Sequence, residues 1–175
     1  KTFAGNKVVS AATLNLGKNS YIKYCISCHG EKGDGNGIAS KGLIPPARDF
    51  TKGIYKFGRV ATGGLPHDED FYQIIREGLA GTAMLKWDIS DERMDAIVQY
   101  IKTFAPNTWE GADKTLGDPI VPSANPFVGN EEKAVARGKE VFHVVSNCTT
   151  CHRAYVSHEE LNQMSKKINN TPITE

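Results

Sequence analysis

Apolar residues first recur at helical spacing shortly after residue 67. Phe71, Ile74 and Ile75 would share one face of a helix that begins near Asp68. Acidic residues cluster at that beginning, where they meet the positive end of the helix dipole. Gly78 suits the left-handed conformation that commonly ends a helix. The pattern predicts an amphipathic helix between Asp68 and Gly78.

The segment between Ser90 and Pro106 gives the clearest helical pattern in the chain. Ser90 is a favourable N-cap residue, and Ile89 and Met94 occupy the positions of a hydrophobic staple around it. An apolar stripe follows along one face of the helix. Its members are Met94, Ile97, Val98, Ile101 and Phe104, with Tyr100 beside them. Pro106 ends the helix.

Weaker helical segments precede and follow the cysteines of the chain. The run at 17–24 leads into the first cysteine pair, and a segment capped by Asn130 leads into the second. The capping box Ser157-x-x-Glu160 opens a last helix. No segment has the pattern of a sheet, so the expected fold class is all-α.

The order of these patterns predicts two helical units. Residues 1–16 form a polar lead-in, 17–105 a first domain, 106–127 a proline-rich linker, and 128–175 a short second unit. Residues 30–66 are rich in glycine and proline. A loop of this length in a compact domain must be functional or held by something other than its own backbone pairing.

Charge and composition exclude some classes of function. The 21 Lys and Arg residues nearly balance the 20 Asp and Glu residues, which gives no reason to expect a nucleic-acid partner. No apolar stretch approaches the roughly 18 residues of a transmembrane segment. The chain starts at Lys1 without a methionine, so we expect a mature or trimmed form.

The cysteines carry the strongest chemical signal. They form two pairs with two-residue spacing, and a histidine directly follows each pair. The two motifs are Cys25-Ile26-Ser27-Cys28-His29 and Cys148-Thr149-Thr150-Cys151-His152. This spacing is typical of c-type haem attachment, in which two thiols bond to one porphyrin edge and the adjoining imidazole reaches the iron. The motifs therefore predict two covalently bound haem c groups, with His29 and His152 as proximal ligands.

Two other uses of the cysteines are less favoured. A zinc site would need the two pairs to meet across 120 residues and would leave both adjoining histidines unexplained. A thioredoxin-like dithiol would need a preceding strand. Covalent haem chemistry belongs to an extracytoplasmic compartment in bacteria, so the expected localisation is periplasmic or otherwise extracytoplasmic.

Met84 is the candidate distal ligand of the first haem. It lies 55 residues after His29, in a glycine-bounded loop between two predicted helices. A thioether ligand raises the redox potential, as a carrier would require. Met94 belongs to the core stripe described above, and His67 precedes a helix start, where a loop or capping role is expected.

Residues 17–105 resemble class I cytochrome c. The resemblance rests on Gly17-x-x-x-Tyr21 before the first motif, Gly33-Asp34-Gly35, Pro45-Pro46, Met84 and a final helix bearing Tyr100. It implies that His29 is the proximal and Met84 the distal ligand, and that the first and last helices cross near Gly17 and Tyr100.

The resemblance also implies contacts around the haem. The carbonyl of Pro45 is expected to accept the Nδ1 proton of His29, which would fix the orientation of the ring. Arg48, Arg59 and Trp87 are weaker candidates for contact with the haem propionates.

The second unit opens in the same way but differs afterwards. Gly138-x-x-x-Phe142 precedes Cys148, with two more residues between the aromatic residue and the cysteine than in the first unit. Only 23 residues follow His152, so this half cannot repeat the first fold. Either the chain is truncated or the second haem is ligated in another way.

Three residues are local candidates for the second distal ligand. Met164 fits the apolar stripe of the last helix, and His158 lies at its start, where surface histidines are common. His143 is expected to be exposed or to ligate a different haem. Truncation or an external ligand is the favoured interpretation.

These features favour a dihaem electron carrier that passes single electrons between redox protein partners. One alternative is a relay subunit of a larger, possibly membrane-associated, respiratory or oxidoreductase complex. Another is a peroxidase-like haem enzyme, which would need an open position on the second iron.

Overall fold

The computed structural model describes residues 1–171. The chain forms two compact units, unit 1 (Lys1–Val121) and unit 2 (Pro122–Glu175). The secondary structure is almost entirely helical, which confirms the predicted class. The sequence patterns missed one small sheet, an antiparallel ladder of two-residue strands at the start of the chain.

Unit 1 combines this ladder with the helices that surround the first cysteine motif. The strands are β1 (Thr2–Phe3) and β2 (Lys7–Val8), and the helices are α1 (Ala11–Tyr24), α2 (Ile26–His29), α3 (Asp68–Glu77), α4 (Asp91–Lys102) and α5 (Pro106–Trp109). The predicted helices at 68–78 and 90–106 correspond to α3 and α4. Gly78 ends α3 with a φ of 70°, as expected. Ser90 is the N-cap residue of α4, but its side chain makes no capping hydrogen bond.

Helices α1 and α4 cross at Gly17. A Cβ atom on Gly17 would lie 2.0 Å from the carbonyl oxygen of Ala96 and 2.8 Å from the Cβ of Tyr100. Because real Cβ atoms do not approach other atoms so closely, only glycine allows this crossing. The crossing occurs where the resemblance implied it.

The core of unit 1 lies along this crossing. Tyr21 is buried, and its ring centroid lies 5.5 Å from that of Tyr100 and 5.2 Å from that of Phe104. The Tyr21 hydroxyl donates a hydrogen bond to the carbonyl of Gly30 at 2.7 Å. Helix α1 is thereby tied both to α4 and to the start of the long loop.

The first sixteen residues, which were predicted to be a polar lead-in, pack into unit 1. Phe3 is completely buried, and Ser10 caps α1 by accepting a hydrogen bond from the Thr13 amide at 3.0 Å. Helix α1 therefore begins at Ala11, six residues before Gly17. These residues contain few large apolar side chains, so their packing leaves no periodic signal in the sequence.

The expected linker at 106–127 is also mostly part of unit 1. Helix α5 places Trp109 at 0% exposure against the rings of Tyr55 and Phe71. Further along, Val60 forms an isolated β-bridge with Pro119. The prolines suggested a stiff linker, but a proline, although it fixes φ and lacks an amide donor, can still pack on a domain. The boundary falls after Val121.

Unit 2 is shorter and contains helices α6 (Glu131–Glu140) and α7 (His158–Asn169). A π-helical turn at Val141–Val145 continues α6 toward the second cysteine motif. The predicted caps are confirmed. Asn130 accepts from the Lys133 amide and Ser157 accepts from the Glu160 amide, both at 3.1 Å.

Candidate functional site

The first cysteine motif forms the short helix α2 directly after α1. The Cys25 amide donates to the Tyr21 carbonyl at 2.8 Å, and the His29 amide donates to the Cys25 carbonyl at 2.9 Å. One helical turn therefore brings both thiols and the imidazole to the same region of unit 1. The long loop is anchored to this turn, because Gly37 donates to the Cys28 carbonyl at 3.2 Å.

This region opens on a cavity of about 570 Å³, a size typical of cofactor sites. All of its lining residues lie between Tyr24 and Ile101, and most are apolar. Among them are Cys25, Cys28, His29, Pro45, Arg48, Phe50, Tyr55, Asp70, Phe71, Ile75, Met84, Trp87, Ile97 and Ile101. Two thiols, an imidazole and a thioether thus converge on one apolar space.

The His29 ring is fixed by two contacts. Its Nδ1 donates to the carbonyl of Arg48 at 3.0 Å, and its ring stacks on Phe50 with centroids 4.5 Å apart. The expectation that the Pro45 carbonyl would be the acceptor is wrong, although Pro45 lines the same cavity. Burial lowers the pKa of His29 below its ordinary value. A neutral ring that donates from Nδ1 keeps the Nε2 lone pair for a metal.

Met84 lies in the loop between α3 and α4, and backbone contacts hold that loop. The Leu79 amide donates to the Met84 carbonyl at 2.8 Å, and the Met84 amide donates to Thr82 Oγ1 at 3.1 Å. Gly78 allows the close turn, since a Cβ there would lie 2.7 Å from the Met84 carbonyl oxygen. The thioether is therefore carried by an ordered segment.

The two alternatives to Met84 as the distal ligand of the first haem, Met94 and His67, lie away from the cavity. Met94 is 1% exposed and belongs to the hydrophobic core. His67 is the N-cap residue of α3, and its Nε2 lies 2.9 Å from the carbonyl oxygen of Gly117. Neither residue lines the cavity.

Burial raises the pKa of the Cys25 thiol to about 12. A reactive dithiol requires the opposite shift, because the thiolate is the nucleophile. This environment does not favour the dithiol interpretation of the first motif. Within residues 1–171, no group of three or more His, Cys, Asp or Glu side chains is arranged to hold a metal ion.

The second motif lies in unit 2 after the π-helical turn. Cys148 is partly exposed, while Cys151 and His152 are exposed. The His152 amide donates to the Cys148 carbonyl at 2.9 Å, as the His29 amide does to Cys25. The two extra residues before Cys148 are accommodated by the π-helical turn and by Asn147, which has a φ of 51°.

Comparison with known proteins decides the family. Residues 12–101, about half of the chain, match the family model described as cytochrome C oxidase, cbb3-type, subunit III. The chain belongs to the class I c-type cytochrome family. Members of this family bind haem c covalently and transfer electrons, and the donors around the cavity of this cytochrome fit such a group.

A solved structure is also similar to this cytochrome. It is a chain of the reducing HAO-like protein complex of Kuenenia stuttgartiensis, with 32% identity and a TM-score of 0.68. The match covers 83% of this cytochrome and 62% of that chain, so the cytochrome spans less than two thirds of that relative. Since unit 1 ends at Val121, the matched region must extend into unit 2. No curated protein sequence matches this cytochrome significantly.

The weaker candidates for contact with the haem of this cytochrome divide into two groups. Arg48 and Trp87 line the cavity, whereas Arg59 does not. The Arg59 Nε instead donates to Asp70 Oδ1 at 2.9 Å. Asp70 lines the cavity itself. In the sequence, Asp70 is one of the acidic residues at the predicted start of the helix. Its position four residues before Ile74 places both residues on one face of α3, and this was the available signal that Asp70 lies near the cavity wall.

The candidates for the second distal ligand have different environments. His143 is 3% exposed, so the expectation of an exposed histidine is wrong. Its Nδ1 donates to the Lys139 carbonyl at 2.8 Å, and its Nε2 accepts from the Tyr155 amide at 3.1 Å. His158 is exposed and Met164 is partly buried, both on α7.

Proposed function

We propose that this cytochrome carries two covalent haem c groups and passes single electrons between partner proteins outside the cytoplasm. The observation that carries the proposal is the convergence of Cys25, Cys28, His29 and Met84 on one apolar cavity. A haem held there supplies one-electron chemistry at iron, which needs no general acid or base from the protein.

The residues of unit 1 have distinct roles in this proposal. Cys25 and Cys28 would hold the haem covalently, and His29 and Met84 would bind its iron. The Arg48 carbonyl and the Phe50 ring hold the imidazole in one orientation. The apolar wall would keep water away from the iron, and the Met84 thioether would favour its reduced state. Because the protein holds both iron-binding side chains in place, little rearrangement would accompany electron transfer.

For unit 2 we propose a haem bound by Cys148 and Cys151, with His152 as the proximal ligand. The repeated motif supports this assignment, as does a structural likeness that extends beyond unit 1. We propose that the distal ligand comes from outside residues 122–171. Both His143 nitrogens already have hydrogen-bond partners, and His158 is exposed at the start of α7.

A second candidate function is an electron relay within a larger oxidoreductase complex. The matched family model describes an oxidase subunit, and the similar solved chain comes from a protein complex. No helix in residues 1–171 is both long and apolar enough to cross a membrane. Size-exclusion chromatography of the native protein from its source distinguishes the two functions, because a free carrier elutes alone and a relay subunit elutes with its complex.

The experiment that tests the proposal is the intact mass of the denatured protein after maturation in a host that attaches haem c. The expected mass is that of the chain plus two haems. Two variants, Cys25→Ala/Cys28→Ala and Cys148→Ala/Cys151→Ala, should each lack one haem. A single haem in the parent protein would contradict the assignment in unit 2, and no haem would contradict the whole proposal.

A further test separates electron transfer from enzyme function. If an external ligand occupies the second iron, the reduced protein should bind no carbon monoxide as long as the partner or molecule that supplies this ligand is present. Binding of one equivalent, together with peroxide turnover, would favour the peroxidase-like alternative instead.

A further inference from the structure

Asp70 is a buried charge on the wall of the unit 1 cavity. Its side chain is 4% exposed, and it provides the carboxylate among the residues that line the cavity. Its neighbours on the same wall include Phe71 and Ile74. A charge in such apolar surroundings costs free energy unless it is hydrogen-bonded, so the hydrogen-bond partners of Asp70 determine whether its charge is stable there.

Three N–H groups donate to this carboxylate. Oδ1 accepts from the backbone amide of Arg59 at 3.2 Å and from Arg59 Nε at 2.9 Å. Oδ2 accepts from the backbone amide of His67 at 3.0 Å. Both oxygens therefore act as acceptors, which is the pattern of an ionised carboxylate.

The two members of the Asp70–Arg59 pair differ in their exposure to water. The Arg59 side chain is 65% exposed and does not line the cavity, whereas Asp70 is almost completely buried and does. Water screens the guanidinium charge much more than the carboxylate charge. The pair therefore presents a net negative potential to the cavity. The cations on the cavity lining, Arg48 and Lys56, are themselves exposed.

We infer that Asp70 sets the redox potential of the haem in unit 1 by stabilising its oxidised form. The inference rests on the proposed function of that haem. On reduction, ferric iron takes one electron from a reduced partner protein and becomes ferrous iron, and no bond forms or breaks. The iron centre loses one unit of positive charge, so a nearby buried carboxylate favours the oxidised side and lowers the midpoint potential.

Variants at the two positions distinguish this role from a structural one. Asp70→Asn removes the negative charge and should raise the midpoint potential. Arg59→Gln removes the screened positive charge and should lower the potential slightly. If the pair only kept the cavity wall in shape, breaking it from either side would shift the potential in the same direction.

Asp68→Asn is the matched control. Asp68 lies in the same first turn of α3 and also forms ion pairs, but it does not line the cavity. This variant should lower stability and leave the potential unchanged. Asp70→Glu keeps the charge and should remain close to the parent protein.

The measurement is a spectroelectrochemical titration of the full haem-loaded chain, made in the Cys148→Ala/Cys151→Ala background so that only the haem of unit 1 contributes. An unchanged potential in Asp70→Asn, or an unchanged or raised potential in Arg59→Gln, would overturn the inference. Because Arg59 is exposed, Arg59→Gln keeps the test decisive even if Asp70→Asn does not assemble. If the background protein has no haem at Cys25 and Cys28, the proposed function has failed instead, and the intact mass shows this directly.

Discussion

The two units begin alike and then differ in what covers the cysteine motif. In unit 1, Gly17 lies beneath α4, and a Cβ there would overlap the Ala96 carbonyl. In unit 2, a Cβ on Gly138 would meet no atom within 4 Å apart from its chain neighbours and the backbone of its own helix. The same local sequence therefore leads to a packed helix crossing in one unit and an open helix face in the other.

The difference shows that the motif and the pocket are specified by different parts of the chain. The motif needs only a helical turn after a helix, and both units have one. The cavity of unit 1 also needs the loop that carries Met84 and the helix α4, which lie far along the sequence. Unit 2 has α7 after its motif, but the cavity described above takes no residue from unit 2.

The largest expected effect comes from removing each cysteine pair in turn, together with any haem that the pair binds. The cavity of unit 1, about 570 Å³, is lined mostly by apolar side chains that a haem would cover, and losing that burial removes a large part of the stability of the unit. Cys25→Ala/Cys28→Ala should therefore abolish the cooperative thermal unfolding of unit 1, measured by circular dichroism. The matched Cys148→Ala/Cys151→Ala protein should keep it, and equal losses in both would contradict the comparison.

The next largest effect on stability comes from replacing one ion-paired lysine in each unit. Lys102 is 1% exposed and pairs with Asp68, which also keeps Lys7 and Gln99 as partners. Lys102→Met should therefore remove one charged hydrogen bond of this carboxylate and cost about 1.5–3 kcal/mol. Lys139 pairs with Glu160 on the surface, and both side chains are more than two-fifths exposed. Lys139→Met should cost at most about 1 kcal/mol. Chemical denaturation of both variants checks the contrast.

Alanine at the two glycines should have opposite effects. Gly17→Ala forces a Cβ into the α1–α4 crossing and should destabilise unit 1 by about 1–3 kcal/mol or more. Gly138→Ala meets open space inside α6 and should stabilise that helix by about 0.5–1 kcal/mol. Thermal unfolding measures both. A neutral Gly17→Ala would mean that the two helices do not cross as described.

The smallest expected effect is a loss of stability of unit 1 at acidic pH. Burial raises the pKa of Asp68, but the charge of Lys102 and hydrogen bonds from Lys102, Lys7 and Gln99 outweigh it and hold the pKa below its ordinary value. A lowered carboxyl pKa adds stability that is complete above the unfolded value near 4 and is lost as the pH falls through the folded value. The free energy of unfolding, measured by chemical denaturation between about pH 5 and about pH 2, should show this loss, because an ordinary carboxyl group has a pKa of about 4. Asp68→Asn should flatten the curve, and an unchanged curve would contradict the role of the pair.

Sequence reasoning recovered the features that depend on local patterns. The cysteine motifs, the helices α3 and α4 and the caps at Asn130 and Ser157 were all visible because each depends on residues a few positions apart. The approach of Gly17 to Tyr100 followed from the family resemblance rather than from spacing.

The features that were missed depend on contacts distant in the chain. Trp109 packs on Tyr55 from within a segment that looked like a linker, and Phe3 is buried without any periodic neighbours. The acceptor for His29 is the carbonyl of Arg48, which depends on the path of an irregular loop. His143 is buried within a π-helical turn, and the local sequence pattern did not predict that turn.

The central claim is that unit 1 supplies its own thioether ligand and unit 2 does not. The chain has three methionines, so Met84→Leu, Met94→Leu and Met164→Leu test every thioether source within it. Near-infrared magnetic circular dichroism of the oxidised protein detects a thioether bound to ferric haem. We predict that this signal is present in the parent protein, lost in Met84→Leu and retained in the other two variants. Its persistence in Met84→Leu, or its loss in Met164→Leu, would contradict the account.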